Sequence, residues 1–260
     1  VLIFLKKYLF WGGNEMKNVD VVARELVEWI HNTVVNAGAK GVVVGISGGV
    51  DSAVVAAAAK RAFPNNTLGI IMPCHSNPQD EKDAMLLIEK LGLEYKKVVL
   101  DNVFDQLLKE IGSTGDEPKL AIANIKPRLR MTTLYYYAAL NNYLVAGTGN
   151  RSEITIGYFT KYGDSGVDIL PLASFVKHDV WELARYFGVP KEIIEKAPSA
   201  GLWENQTDEG EMGITYKELD HYILTGEGSD MVKKVVDELS RKSQHKREFA
   251  KMFEPESMNR

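Results

Sequence analysis

Two stretches of this chain carry residues whose types and spacing could do chemistry. The first is Ser47-Gly48-Gly49-Val50-Asp51-Ser52, which sets two hydroxyls, two glycines and a carboxylate into six positions. It follows an uncharged run, 42–46, and leads at once into an alanine-rich segment, 52–62. A buried strand, a small-residue turn and a helix start together make an anion site. The first backbone N–H groups of a helix are unpaired, its dipole is positive at that end, and glycine lets a phosphate come close. Asp51 would repel such a phosphate unless a cation lay between them, so the turn implies Mg²⁺ together with a nucleotide.

The second stretch is 147–172, with glycine at 147, 149, 157, 163 and 166 and with Glu153, Lys161, Asp164 and Asp168 interspersed. So long a connection with so few apolar residues is usually functional. Glu153 falls just past an expected strand end, on the same sheet edge as Asp51. Two carboxylates converging there would complete a Mg²⁺ site that keeps some of its waters. The other reading open to Glu153 is that it caps a helix.

The elements that must position these residues follow from periodicity. A helix is expected over 19–35, with apolar Val22, Leu26, Trp29 and Ile30 and with Gly38 ending it. Strands are expected at 42–46, 67–72, 95–100 and 143–146, separated by helices at 52–62, 80–91, 103–111 and 120–140; Pro127 must bend the last of these or begin it. Strands joined by helices of this length predict an α/β fold, a doubly wound and mainly parallel sheet with helices on both faces. C-terminal helices follow at 214–224 and 231–239, after a polar, acidic stretch, 204–213, expected as a flexible lid or disordered loop. In such a sheet ligands bind at the carboxyl ends of the strands, which is where Asp51 falls. Lys126, Arg128 and Arg130 oppose a helix dipole unless an anion compensates, the alternative being a solvated basic face. The basic run 242–247 has the same two readings.

Composition narrows the field. The chain has 260 residues, 45% of them hydrophobic, and a formal net charge of −4, so no nucleic acid or anionic membrane is called for as a partner. The single cysteine, Cys74, excludes an internal disulfide and fits the reducing cytoplasm; a bland buried thiol is its simplest reading. Residues 1–15 are apolar but interrupted by Lys6 and Lys7, too short to span a bilayer and without a signal-peptide pattern. They read as a translated leader before a natural start at Met16, or as an arm that packs on a partner subunit.

The turn at 47–52 lacks the GK[ST] of a Walker A loop and does not fit GxGxxG; it resembles the pyrophosphate-binding loop of the ATP pyrophosphatase superfamily. Taken with KPRLRM at 126–131, GT followed by glutamate at 147–153, GYFTKYGDSGVDILPL at 157–172 and QHKR at 244–247, the chain resembles the ammonia-dependent NAD synthetase family over about residues 18–253. That resemblance implies one adenine nucleotide alpha hydrolase-like domain, 16–260, and a reaction in which ATP adenylates the nicotinate carboxylate of deamido-NAD before ammonia displaces AMP. It implies that Gly45, Ile46, Ser47, Gly48, Gly49, Val50, Asp51 and Ser52 hold the ATP phosphates, with Thr148, Lys177 and Ser199 as further ATP contacts. Asp51 and Glu153 would hold Mg²⁺; Arg128, Lys161, Asp168, His245 and Lys246 would hold deamido-NAD. Ser199 departs from the family's threonine but keeps the hydroxyl. Asp168 could assist ammonium by electrostatics or by taking a proton. The family's members are homodimers, and 260 residues leave no room for a glutaminase domain, so free ammonia is the expected donor. Thiolation of a tRNA base would favour paired cysteines and a basic surface, and a mere ATP sensor would leave 147–172 without a purpose.

Overall fold

In the computed structural model, which describes residues 18–203 and 206–253, four strands form one all-parallel sheet. They are β1 (Gly41–Gly45), β2 (Thr67–Ile71), β3 (Glu94–Lys97) and β4 (Tyr143–Ala146), in the order β3-β2-β1-β4. The chain builds outward from β1 through β2 to β3, then returns to lay β4 on the other side of β1. The winding direction reverses between β1 and β4, and a ligand crevice opens at the carboxyl ends of strands at such a point. Residues 1–17, including the expected leader, lie outside the described residues.

The uncharged valine run of β1 reflects burial on both faces. Val42 and Val44 enter a core layer with α1 (Val19–Asn36), α2 (Val50–Ala62), α3 (Pro78–Leu91) and α8 (Lys177–Phe187). Val43 and Val145 point the other way, toward α4 (Asp101–Glu110) and α6 (Ile125–Asn141), where Phe104, Leu134 and Ala138 pack. Alanine and valine fill most of α2, so this helix sits close to the sheet; seven of these side chains, 53 to 59, are buried.

Local signals account for most element ends. Asn77 caps α3, Pro78 opens it, and Gly92 closes it in the left-handed region at φ 56°. The stripe of α1 is Ala23, Leu26, Ile30 and Val34, while Trp29 is 45% exposed. Leu26 and Ile30 of the expected stripe are therefore buried, Val22 is half-buried, and only Trp29 falls outside it. The single helix expected over 120–140 is two, α5 (Lys119–Ala123) and α6, with Asn124 between them. Pro127 is the third residue of α6, where no intrahelical N–H is lost. The third strand is shorter than expected, yet Val98 and Leu100 still donate to Ile71 O and Pro73 O (2.9 and 2.8 Å). The lid expected at 204–213 is partly helical: α10 (Asp208–Met212) lies within it, and 204–205 fall outside the described residues.

Beyond the sheet, α7 (Arg151–Ile156), α9 (Lys191–Ile194), α10, α11 (Tyr216–Thr225) and α12 (Asp230–Lys242) complete the fold. Ile156, Met212, Ile214, Leu219, Val232 and Val236 share a separate apolar cluster, and Trp181 of α8 packs against both this cluster and the sheet core. Among the described residues no helix is long and apolar enough to cross a membrane.

Thr67, buried at the start of β2, can donate its hydroxyl to Ala59 O or Phe63 O (3.0 and 2.9 Å), tying strand to helix end. Both carbonyls also accept backbone N–H groups, so Thr67→Val leaves neither orphaned. We expect a loss of about 0.5–1.5 kcal/mol in urea unfolding, one net hydrogen bond, with no change in m-value.

Candidate functional site

The turn leaving β1 is held by its own serines. Ser47 N–H donates to Ser52 Oγ (3.2 Å), the two hydroxyls lie 3.0 Å apart, and Ser52 Oγ donates to Gly49 O (2.9 Å). Gly48 has φ 78°, and a Cβ there would stand 2.4 Å from Asp80 O, so only glycine is accommodated. Gly49 at the N-cap of α2 has no side chain to offer, which leaves the first amides of a 13-residue helix open to an anion.

Asp51, in the first turn of α2, reaches across to the loop after β4. Its Oδ1 accepts from Asn150 Nδ2 (2.8 Å) and its Oδ2 from Lys177 Nζ (2.6 Å). Asn150 is fully buried and caps α7: its Oδ1 accepts from Glu153 N–H (3.0 Å), and Glu153 Oε2 accepts from Asn150 N–H (3.2 Å). The capping reading of Glu153 therefore holds. One oxygen completes the cap, while Oε1 stands 3.8 Å from Lys177 Nζ. Asp51, Glu153 and Lys177, separated by up to 126 positions in sequence, meet at the point where the winding reverses.

Electrostatics sharpen the picture. Burial, followed by repulsion from Asp51, pushes the Glu153 carboxyl well above its usual range. Burial alone would press Lys177 toward neutrality, but attraction to Asp51 and Glu153 outweighs it and raises its pKa. The Lys177 side chain is only 2% exposed, and its Nζ lies 5.1 Å from the ring centroid of Tyr216. Tyr216 OH donates to Asp208 Oδ2 (2.8 Å), while buried Asp208 Oδ1 has no hydrogen-bond partner among the described residues. Burial raises the Asp208 pKa as well. Asp51 and Glu153 thus face one ammonium, and Asp208 bonds to the tyrosine that covers it.

The expected substrate residues form a second group. Lys161 Nζ donates to His245 O, Arg128 Nη2 to Lys161 O (3.3 Å), and Lys246 Nζ to Gly157 O and Phe159 O (2.8 and 2.7 Å). Four of the five expected positions therefore gather on the backbone of 157–161, His245 through its carbonyl. The basic run at 242–247 is not a solvated helix end at its last two residues, since Arg247 also donates to Ile154 O (3.0 Å). Nor do Lys126 and Arg130 form a solvated face: they donate to Leu202 O (3.1 Å) and Met72 O (3.1 Å). Asp168, the fifth, stands apart, accepting from Tyr135 OH (3.0 Å) and Val145 N–H (2.8 Å); burial followed by this bond pushes the Tyr135 pKa up to about 12. Thr148 lies in the turn after β4 beside Asn150. Ser199 Oγ accepts from Gly201 N–H (3.1 Å) in a segment tied down by Lys196, which pairs with Asp80 and Asp83 (2.7 and 2.6 Å) behind Gly48. Cys74 is fully buried, and burial raises its pKa.

Sequence reasoning missed Asn150, Asp208 and Tyr216. The signal for Asn150 was Asn-x-x-Glu at 150–153, a capping box. Asp208 and Tyr216 carried no local signal.

The chain matches the family model described as NAD synthase over residues 22–257. It is a member of the NAD synthase family. Two curated members are similar along nearly their whole length, both described as NH(3)-dependent NAD(+) synthetase. The one from Carboxydothermus hydrogenoformans is 59% identical over 88% of this chain and 96% of its own. The one from Finegoldia magna is 50% identical over 93% and 99%. Among solved structures, the NMN synthetase from Francisella tularensis superposes with a TM-score of 0.87 at 39% identity, covering 92% of this chain and 99% of its own. The NH3-dependent NAD synthetase from Campylobacter jejuni, in complex with the nitrate ion, gives 0.76 at 30% identity, covering 91% and 99%. The parallel sheet with flanking helices is therefore the NAD synthase fold, and the family uses ATP.

Glu153 allows a test with a worked sign. A carboxyl whose folded pKa lies above its unfolded value contributes stability below the unfolded value, and this is lost as pH rises through the folded one. Glu153→Gln, which keeps the cap acceptor, should raise the thermal midpoint of the ligand-free protein at pH 8 and leave it nearly unchanged at pH 4. Calorimetry across that range checks the trend.

Proposed function

We propose that this chain converts deamido-NAD to NAD, using ammonia as nitrogen donor and cleaving ATP to AMP and pyrophosphate. The observation that carries this reading is the convergence of Asp51, Glu153 and Lys177 over the open N-terminus of α2. Full-length similarity to NH3-dependent synthetases supports the same assignment.

A nicotinate carboxylate oxygen attacks the α-phosphorus of ATP, the bond to the β-phosphate breaks, and pyrophosphate leaves with its electrons. The ammonia lone pair then attacks the acyl carbon of the resulting adenylate, AMP departs, and one proton is lost. Carboxylate against phosphate is anion against anion, so charge and alignment dominate the first barrier. The amides of 49–52 and the hydroxyls of Ser47 and Ser52 hold the phosphates, Lys177 supplies a fixed positive charge, and Thr148 and Ser199 add ATP contacts. Arg128, Lys161, Asp168, His245 and Lys246 hold the dinucleotide.

Asp51 and Glu153 are the residues that would hold Mg²⁺. Among the described residues no three His, Cys, Asp or Glu side chains are set to enclose a metal by themselves. Two carboxylates with phosphate oxygens and waters filling the remaining positions is the arrangement Mg²⁺ uses, and the surplus of buried carboxylate fits such a cation. When bound it would neutralise phosphate charge as the α-phosphorus is attacked.

Cytoplasmic location and a homodimer belong to this reading. Val103 of α4, Ile111 just past its end, and Tyr136 and Leu140 of α6 are each more than half exposed, an apolar surface that a second copy would cover. A solution mass of one chain would remove the dimer.

A second reading has one observation in its favour, the similarity to the NMN synthetase of Francisella tularensis: the same amidation on a mononucleotide. Incubation with ATP, Mg²⁺, ammonium and either deamido-NAD or nicotinate mononucleotide, with AMP, pyrophosphate and amide measured, separates the two. We expect turnover with deamido-NAD; faster turnover of the mononucleotide would replace the first reading. Asp51→Asn should lower kcat by about 100-fold or more with the circular dichroism spectrum unchanged. Near-normal activity would remove Asp51 from the site.

A further inference from the structure

Asp220 lies within α11, a position where aspartate is a poor helix former, and it is 5% exposed. Among the described residues no Lys, Arg or His pairs with it within salt-bridge distance. A carboxylate buried without a cation is costly unless hydrogen bonds replace its water. The replacement comes from two other helices: Oδ1 accepts from Ser152 Oγ of α7, and Oδ2 accepts from the His178 N–H of α8 (2.9 Å). Ser152 Oγ in turn accepts from the Lys177 N–H (3.1 Å).

The arrangement answers a local defect. The N-cap position of α8 is Val176, which has no oxygen to offer, although Asp179 Oδ2 accepts from the Val176 N–H (3.0 Å). The first two amides of α8 are therefore capped from elsewhere, by Ser152 and Asp220, with the dipole of α8 favouring the negative charge. A serine or threonine at 176 would cap the helix more cheaply. What a local cap cannot do is fasten α7, α8 and α11 at one point, one residue from Glu153 and at the backbone of Lys177. Tyr216, four residues before Asp220 and so on the same face of α11, lies against the Lys177 side chain.

We infer that Asp220 is a positioning residue for the reaction: through Ser152 and the start of α8 it sets the placement of Lys177 and Glu153 against Asp51. This rests on the amidation reading above. It makes α11 a support of the reacting centre as well as a part of the C-terminal apolar cluster.

The test compares full-length wild type with Asp220→Ala, Ser152→Ala, the conservative Asp220→Asn, and Leu219→Ala as a control. Leu219 is fully buried in the C-terminal cluster, so its truncation loosens the same helix without touching the caps. Activity is measured per folded molecule, at a temperature where circular dichroism shows every variant folded, and Mg²⁺-ATP affinity is measured by calorimetry. Asp220→Ala should lower kcat about 10- to 100-fold, more than it raises KM for deamido-NAD, and weaken ATP binding severalfold. Ser152→Ala should follow it in direction, Asp220→Asn should recover most of the loss, and Leu219→Ala should keep its kcat despite lower stability. Asp220→Ala with kcat and ATP affinity within about twofold of wild type, or Leu219→Ala losing as much per folded molecule, would overturn the inference. If wild type forms no amide product while Asp220→Ala and Ser152→Ala both weaken ATP binding and Leu219→Ala does not, the amidation reading fails and only the placement of Lys177 at the nucleotide site stands.

Discussion

The ion pair between Lys177 and Asp51 is the constraint on which the site depends. It joins the start of α8 to the start of α2 across the reversal in strand order, and it is nearly dry. A buried ammonium is tolerated only with close anions, and two carboxylates that crowd one another are tolerated only with a close cation. Each therefore makes the others possible. Remove the lysine and Asp51, Glu153 and Asp208 repel in a medium that screens them poorly; remove Asp51 and the lysine loses its shortest partner.

That constraint explains the shape of the surroundings. Asn150 serves both sides, bonding Asp51 with its amide nitrogen and capping α7 with its oxygen, which orients Glu153. Tyr216 closes the lysine off from water with an aromatic face, which tolerates a cation better than an aliphatic wall would. Asp208 adds negative charge that the lysine does not fully offset.

The second group obeys a different rule. Lys161, Lys246, Arg247 and Arg128 bond to backbone carbonyls, and none has an acidic partner within salt-bridge distance among the described residues. Carbonyls orient a cation without neutralising it. Under the proposed function that charge would meet the phosphates of the dinucleotide.

Residue type and short-range spacing determined a good deal alone. The glycines and serines of 47–52 specify a tight turn into α2 because only glycine fits at 48, and the valine run before it specifies a strand buried on both faces. Pro78 and Gly92 mark the ends of α3 because their backbone preferences act locally. The long apparent helix at 120–140 misled because periodicity sees apolar faces, not the break at Asn124. Trp29 was misplaced at the edge of the α1 stripe because how far round a helix is buried depends on what it packs against. Only the tertiary structure decided that Glu153 both caps and faces Lys177, that His245 contributes its carbonyl, and that Asp168 stands apart with Tyr135. Nothing local in the sequence could bring Asp208, Tyr216 and Asp220 to Lys177. The partners of Tyr216 and Asp220 on α7 and α8 lie tens of residues away, and it is the packing of α7, α8 and α11 around a shared apolar cluster that brings those groups within bonding distance.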